Sequence, residues 1–340
     1  MLLHFRARGR DPRGLRARDQ QRPRSDQARV PTSCGTREKA RAALSHSVFT
    51  GISRNHLDRL VTELTEPFHA AREGRLHRRR GDRDRHRWPG AGHPETLTLR
   101  DRLLLTLAWL RLALPHQALA LLYGVDRSTV SAAIRQIRPL LANRGFATPS
   151  GQRLHTLADV LAYAAAEGLT VRLDGTEIQV RRPKANRPGR RAFVSGKKKQ
   201  NTIKATVASD AHGRPIWAGA IRPGRQHDQT AVRTEGIDDL LDAYPDVQFL
   251  VDAGYRGLAK DHPDQVIAPP LKPKKDAPPD EIAAYEAARR AQSSQRIPAE
   301  HAIAEIKWWR TLQRFTGHRD ALPETIRAIT GLVSDRAAAR

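Results

Sequence analysis

Apolar residues recur at helical spacing along the first half of the chain and at strand spacing along much of the second. Ile52, Leu57, Leu60, Val61 and Leu64 predict a helix over 49–64, with Ser53 placed to cap it. Thr98-Leu99-Arg100-Asp101 reads as a capping box that opens a helix running through Ala113. Pro115 suits the first turn of a second helix ending at Tyr123-Gly124. Asp126 can cap a third, in which Val130, Ile134, Ile137 and Leu141 share one face. Further on, Leu169 to Leu173 alternates as a strand that ends in Asp174-Gly175, and residues 202–209 and 215–221 predict two more. A helix is expected over 228–244, then a buried strand over 247–251 ending at Asp252. After a Pro- and Lys-rich insert at 271–279, helices resume to the end, one of them carrying Glu300. Strands mixed with helices, behind a helical module, give an α/β class.

Two stretches lack any period. Residues 1–40 hold too few apolar side chains to offset the entropy of ordering, and are expected as a disordered basic tail. Residues 72–95, with Arg78-Arg79-Arg80, Arg83, Arg85 and Arg87, are expected as an exposed basic loop. That leaves a helical domain over 41–145 and a second domain over 165–335.

Charge then narrows the partner. Sixty Lys and Arg against 36 Asp and Glu give +24, which calls for a polyanion. A membrane is not expected: the most apolar run, Leu103 to Leu114, is interrupted by Arg111 and too short to span a bilayer. Arg6, Arg8 and Arg10 are followed by no apolar run, so no secretory signal is read, and the single Cys34 offers neither a disulfide nor a zinc cluster. A cytoplasmic, nucleoid-associated, DNA-bound protein is the expectation. Helix, Gly-containing turn and helix over 115–141 fit a helix-turn-helix, whose outward residues Arg127, Ser128, Thr129, Ser131 and Arg135 would enter the major groove. An ordinary helical hairpin is the alternative. Lys197, Lys198 and Lys199, with Arg181, Arg182, Lys184, Arg187, Arg190 and Arg191, form a second basic group suited to phosphates.

The chemistry centres on acids. Asp174 and Asp252 each follow an apolar strand, where a carboxylate is costly to desolvate, and a divalent metal would explain both. An Asp-Gly alone is ordinarily a turn. The third signal is Arg296-Ile-Pro-Ala-Glu300-His-Ala-Ile-Ala-Glu-Ile-Lys307, in which Glu300 and Lys307 share a helix face and Glu305 is turned away.

This Arg-x3-Glu-x6-Lys segment resembles the C-terminal signature of insertion-sequence DDE transposases. Leu173-Asp174-Gly175-Thr176-Glu177, Ser195-Gly196-Lys197-Lys198-Lys199, Pro223-Gly-Arg-Gln-His227-Asp228 and Val251-Asp252-Ala-Gly254-Tyr255 resemble that family's other motifs, in order. One departure is Ser293, where many relatives carry Tyr three residues before the Arg.

The resemblance implies an RNase H-like mixed sheet on which Asp174, Asp252 and Glu300 hold Mg²⁺ (Mn²⁺ as a substitute), two ions in all, for cutting and joining DNA. On the helix face of Glu300, Lys307 is placed to contact DNA phosphate and Arg296 to orient the Glu or bind DNA, with a plain solvated face as the alternative for both. The resemblance further implies double-stranded DNA as partner through element ends and target, and a homo-oligomer assembled on that DNA. Asp228 is expected to cap its helix, Glu177 to be an exposed charge, and Trp308 and Trp309 to pack the last helix. The rival functions are a DNA-binding regulator on a decayed nuclease scaffold and a repair or resolving nuclease without transposition.

Overall fold

The computed structural model describes residues 34–86, 95–184 and 189–339. Most of the expected tail and residues 87–94 of the expected basic loop lie outside these. The tail expectation needs one correction, because a helix begins inside it: α1 (Cys34–Leu44) buries Ala40 and Leu44 and pairs Arg41 with Asp101 at 2.6 Å. A short α2 (Ser47–Thr50) follows, and then α3 (Arg54–Arg79), capped by Ser53 accepting from the His56 N–H. α3 runs well past the predicted end at Leu64, so residues 72–79 are helix and not loop. Long charged side chains sustain a solvated helix without an apolar stripe. His77, Arg78 and Arg79 in its last turn also suit the negative end of the helix dipole.

The predicted capping box is present: in α4 (Leu99–Leu112) Thr98 and Asp101 satisfy each other's backbone N–H groups. Every residue from Leu103 to Leu110 is buried, which makes α4 the axis of the helical part. α5 (His116–Tyr123) ends at Gly124 in a left-handed conformation, φ 59°, which glycine adopts without strain. α6 (Arg127–Ala142) buries Val130, Ile134, Ile137 and Leu141, the stripe its sequence period predicts.

A two-residue ribbon, β1 (Phe146–Ala147) with β2 (Arg153–Leu154), and α7 (Leu157–Glu167) lead into the main sheet. Its strands are β3 (Val171–Val180), β4 (Thr202–Ser209), β5 (Pro215–Pro223), β6 (Phe249–Val251) and β7 (Val266–Ile267), in the order β5-β4-β3-β6-β7. The first three pair antiparallel and the last two join in parallel, while β8 (Arg314–Phe315) pairs with the end of β3.

Between β5 and β6 the single helix expected over 228–244 is two: α8 (Asp228–Thr234) and α9 (Ile237–Ala243), broken at Gly236 with φ 64°. The break lets Glu235 turn inward, where it pairs with the buried Arg222 and accepts from the Ala220 N–H. α10 (Arg256–Asp261), α11 (Pro279–Lys307), α12 (Arg310–Gln313) and α13 (Leu322–Ala338) complete the chain. No seam separates the helical part from the sheet part, because α13 packs against α6, β1 and β5.

A buried charge cluster lies where α3, α13 and the segment after α6 meet. Asp335 of α13 takes His56 of α3 at 3.1 Å and Arg144 at 2.5 Å, and also pairs with Arg153; Arg144 in turn forks onto Glu63. A hydrogen bond from His56 and the charges of Arg144 and Arg153 hold the Asp335 carboxyl down at about 2 in spite of its burial.

Candidate active site

β3 does not stop at Asp174-Gly175 as its sequence suggests. It continues to Val180, with Asp174 opposite Val207 and Gly175 opposite Thr206 on β4. The last parallel pair between β3 and β6 is Leu173 with Val251. One residue further stand Asp174, still within β3, and Asp252, just past the end of β6, and adjacent strands lie about 4.8 Å apart. Asp252 opens a short 3-10 turn, and its Oδ1 accepts from the Gly254 N–H at 2.8 Å.

α11 brings the third acid. It is fixed to the sheet at successive points: the buried Gln292 amide donates to the Val251 carbonyl at 2.9 Å, and Arg172 donates to the Gln295 carbonyl at 2.8 Å. Arg296 then reaches Asp174 Oδ2 at 3.3 Å, and Lys307 donates to the Glu177 carbonyl. Glu300 lies on α11 between these last two contacts and is exposed.

Electrostatics ties the three together. Burial pushes the Asp174 carboxyl up to about 6, and the charges of Asp252 and Glu300 push the same way, against the pull of Arg296 and of the Gly175 N–H. Among the described residues no His, Cys, Asp or Glu group is gathered tightly enough to ligate one ion. The donor set nevertheless fits a hard divalent cation, being all carboxylate, mutually repulsive and compensated by one guanidinium. Ionisation of Asp174 therefore works against folding, and stability falls as pH rises from about 4 through about 6. Asp174→Asn is expected to stabilise the metal-free protein at pH 7.5 by on the order of 2 kcal/mol in urea unfolding. A variant no more stable than the parent would show that burial imposes no such penalty on the Asp174 carboxylate.

Several neighbours were not anticipated. Glu177 is not an exposed charge: it accepts from the Ser195 hydroxyl at 3.2 Å and the Thr202 hydroxyl at 3.1 Å, both distant in sequence. Asp228 is the first residue of α8, and its carboxylate takes the Lys204 ammonium at 3.0 Å. The capping bond comes instead from His227, whose Nδ1 accepts from the Gln229 N–H at 3.3 Å. A methyl group at Gly254 would lie 3.0 Å from Asp252 Oδ1 and 3.1 Å from Asp228 Oδ2, so those two carboxylates flank one glycine. Tyr255, fully buried beside them, has its hydroxyl pushed above its ordinary range by burial and by Asp228 and Asp252.

Of the other candidates, Lys197, Lys198 and Lys199 form an exposed turn ahead of β4. Burial pulls the Lys307 amine down to about 8, and the charge of Lys198 adds to this. Arg127, Ser128 and Arg135 are exposed on α6, while Thr129 and Ser131 are half-buried. The Ser131 hydroxyl also meets His116 Nδ1 at 2.8 Å. Trp309 packs inside as expected, but Trp308 is 59% exposed.

Two family models match this arrangement. One, described as DDE superfamily endonuclease, covers residues 173–334, from the residue before Asp174 into α13. The other, helix-turn-helix of DDE superfamily endonuclease, covers residues 95–147 and so takes in α4 to α6. The chain belongs to the DDE superfamily. Together the two matches span both parts of this DDE protein in the order read from its sequence motifs. No curated protein and no solved structure matches the chain. Among the described residues no helix is long and apolar enough to cross a membrane.

Proposed function

We propose that the chain is a DNA transposase that binds the ends of a mobile element, cuts there and joins the freed 3′-hydroxyl to target DNA. The observation that carries this is the register of β3 and β6, which brings Asp174 beside Asp252 under the helix bearing Glu300. In this reading Asp174, Asp252 and Glu300 hold Mg²⁺, or Mn²⁺ in its place, as two ions. Such ions, when bound, activate the attacking oxygen and stabilise the leaving one in an in-line phosphoryl displacement. Arg296 orients Asp174, and Lys307 fixes α11 along β3. The Lys197 to Lys199 turn holds backbone phosphates beside the acids. The sheet order, three antiparallel strands followed by two parallel ones, supports an RNase H-like fold for this part. The work is cytoplasmic, at the nucleoid, and done by a homo-oligomer on DNA.

α6 is assigned to sequence reading through Arg127, Ser128, Thr129, Ser131 and Arg135. Arg135→Ala is expected to lower the preference for an element end over random duplex by about 5- to 150-fold, the span of one lost base contact. Competition binding measures it, and an unchanged preference would remove Arg135 from the reading surface.

The functional test uses duplexes taken from the sequence flanking the coding region. With the full chain and Mg²⁺, nicks bearing free 3′-hydroxyls and strand-transfer products are expected, and none in a chelator. Binding without any nick in Mg²⁺ or Mn²⁺ would favour the regulator instead.

A further inference from the structure

A cavity of about 780 Å³ lies away from the acids, between α2, the start of α3, the last turn of α4 and the end of α13. Its walls carry Arg54, Arg59, Arg111 and Arg336, with His46 and one acid, Asp335. That acid is already committed to His56, Arg144 and Arg153. Arg336 pairs with Glu305 at 2.9 Å, yet its Nε is buried without a partner among the described residues.

Arg111 is the least compensated of these. Its guanidinium lies 5.9 Å from the Trp308 ring and 5.7 Å from that of Trp309. Its Nη1 is buried with no hydrogen bond, and no carboxylate pairs with it among the described residues. Burial, and after it the charges of Arg336 and Arg310, disfavour its cation. A half-buried cation with one buried, unpaired N–H group gains from an anion more than a fully exposed one would. The wall behind it is tight: a methyl group at Gly51, which sits at φ 73°, would crowd the Trp309 ring at 3.0 Å and Arg111 Cδ at 3.1 Å.

The mouth is of a different kind. Arg54 and Arg59, on the first two turns of α3, are exposed and carry no ion pair among the described residues. Exposed cations leading to a buried donor suit an anion that stays attached to a large polymer. The chain's charge of +24 points to the same polymer, and α4, which supplies Arg111, packs directly against α6.

We propose that this cavity is a phosphodiester-binding site for duplex DNA, distinct from α6 and from the acids, in which Arg54, Arg59 and Arg111 receive a backbone phosphate. It rests on the DNA-binding part of the proposed function. Because the contact is to backbone, it adds affinity and register without reading sequence.

The test compares the full chain with Arg54→Gln/Arg59→Gln, a pair of exposed changes that leave the core untouched. Anisotropy titrations use a random-sequence duplex and an element-end duplex over a range of salt. At about 0.1 M salt the double variant is expected to bind both duplexes roughly tenfold more weakly. The slope of log affinity against log salt should fall by about 1 to 2. Tryptophan emission, to which Trp308 and Trp309 beside Arg111 contribute two of the five indoles, should shift when duplex binds the parent and shift less in the variant. Equal affinity and slope in variant and parent would overturn the site while leaving the functional reading intact. A parent chain that binds no duplex would overturn that reading and the site with it. Inorganic phosphate that shifts the emission, with duplex affinity equal in both proteins, would mark a free-anion site and overturn the DNA assignment.

Discussion

Asp174→Ala, Asp252→Ala and Glu300→Ala are each expected to cut Mg²⁺-dependent nicking by at least about a thousandfold, or roughly 4 kcal/mol of transition-state stabilisation. Duplex affinity should stay within about threefold, because the contacts that set it come from cationic side chains elsewhere. The asymmetry separates loss of chemistry from loss of fold or binding. Asp174 and Asp252 share one strand register, so their single losses should be far from additive. If the triple variant still nicked at the rate of the parent, the three acids would not be the catalytic set.

The second large effect concerns stability. Asp335→Asn leaves Arg144 buried and strips the carboxylate from Arg153 and His56, and is expected to destabilise the chain by about 3 to 5 kcal/mol at neutral pH. The pH dependence has a definite sign. The Asp335 carboxyl is held at about 2, below its ordinary value of 3.8. Its stabilisation is therefore complete above about 4 and lost as pH falls from about 4 toward 2. Urea unfolding of parent and variant between pH 7 and pH 2.5 should show a gap that narrows only in that acid range. A gap constant with pH would mean that the charge of Asp335 contributes nothing.

Local signals made much of this legible in advance. The Thr98/Asp101 box, the stripe on α6 and the apolar runs of β3 and β6 each announce themselves within a few residues. Asp174 and Asp252 stood out because acids beside apolar strands are costly. What failed was of two kinds. Asp174-Gly175 looks like a turn, yet the strand continues through it, with Gly175 paired opposite Thr206. Likewise the arginines after Leu64 look like loop because a solvated helix has no apolar period to display. The other failures are long-range: Glu177 finds its hydroxyl partners 18 and 25 residues away, and Arg296 finds Asp174 across 122. No window of sequence carries that information.

Because α13 lies against both α6 and β5, the two parts are joined through one helix where a tether would have allowed slack. In the proposed function, the span from the bases recognised to the phosphate attacked then behaves as a ruler. One base pair inserted between them would rotate the scissile position by about a tenth of a duplex turn and move it beyond reach.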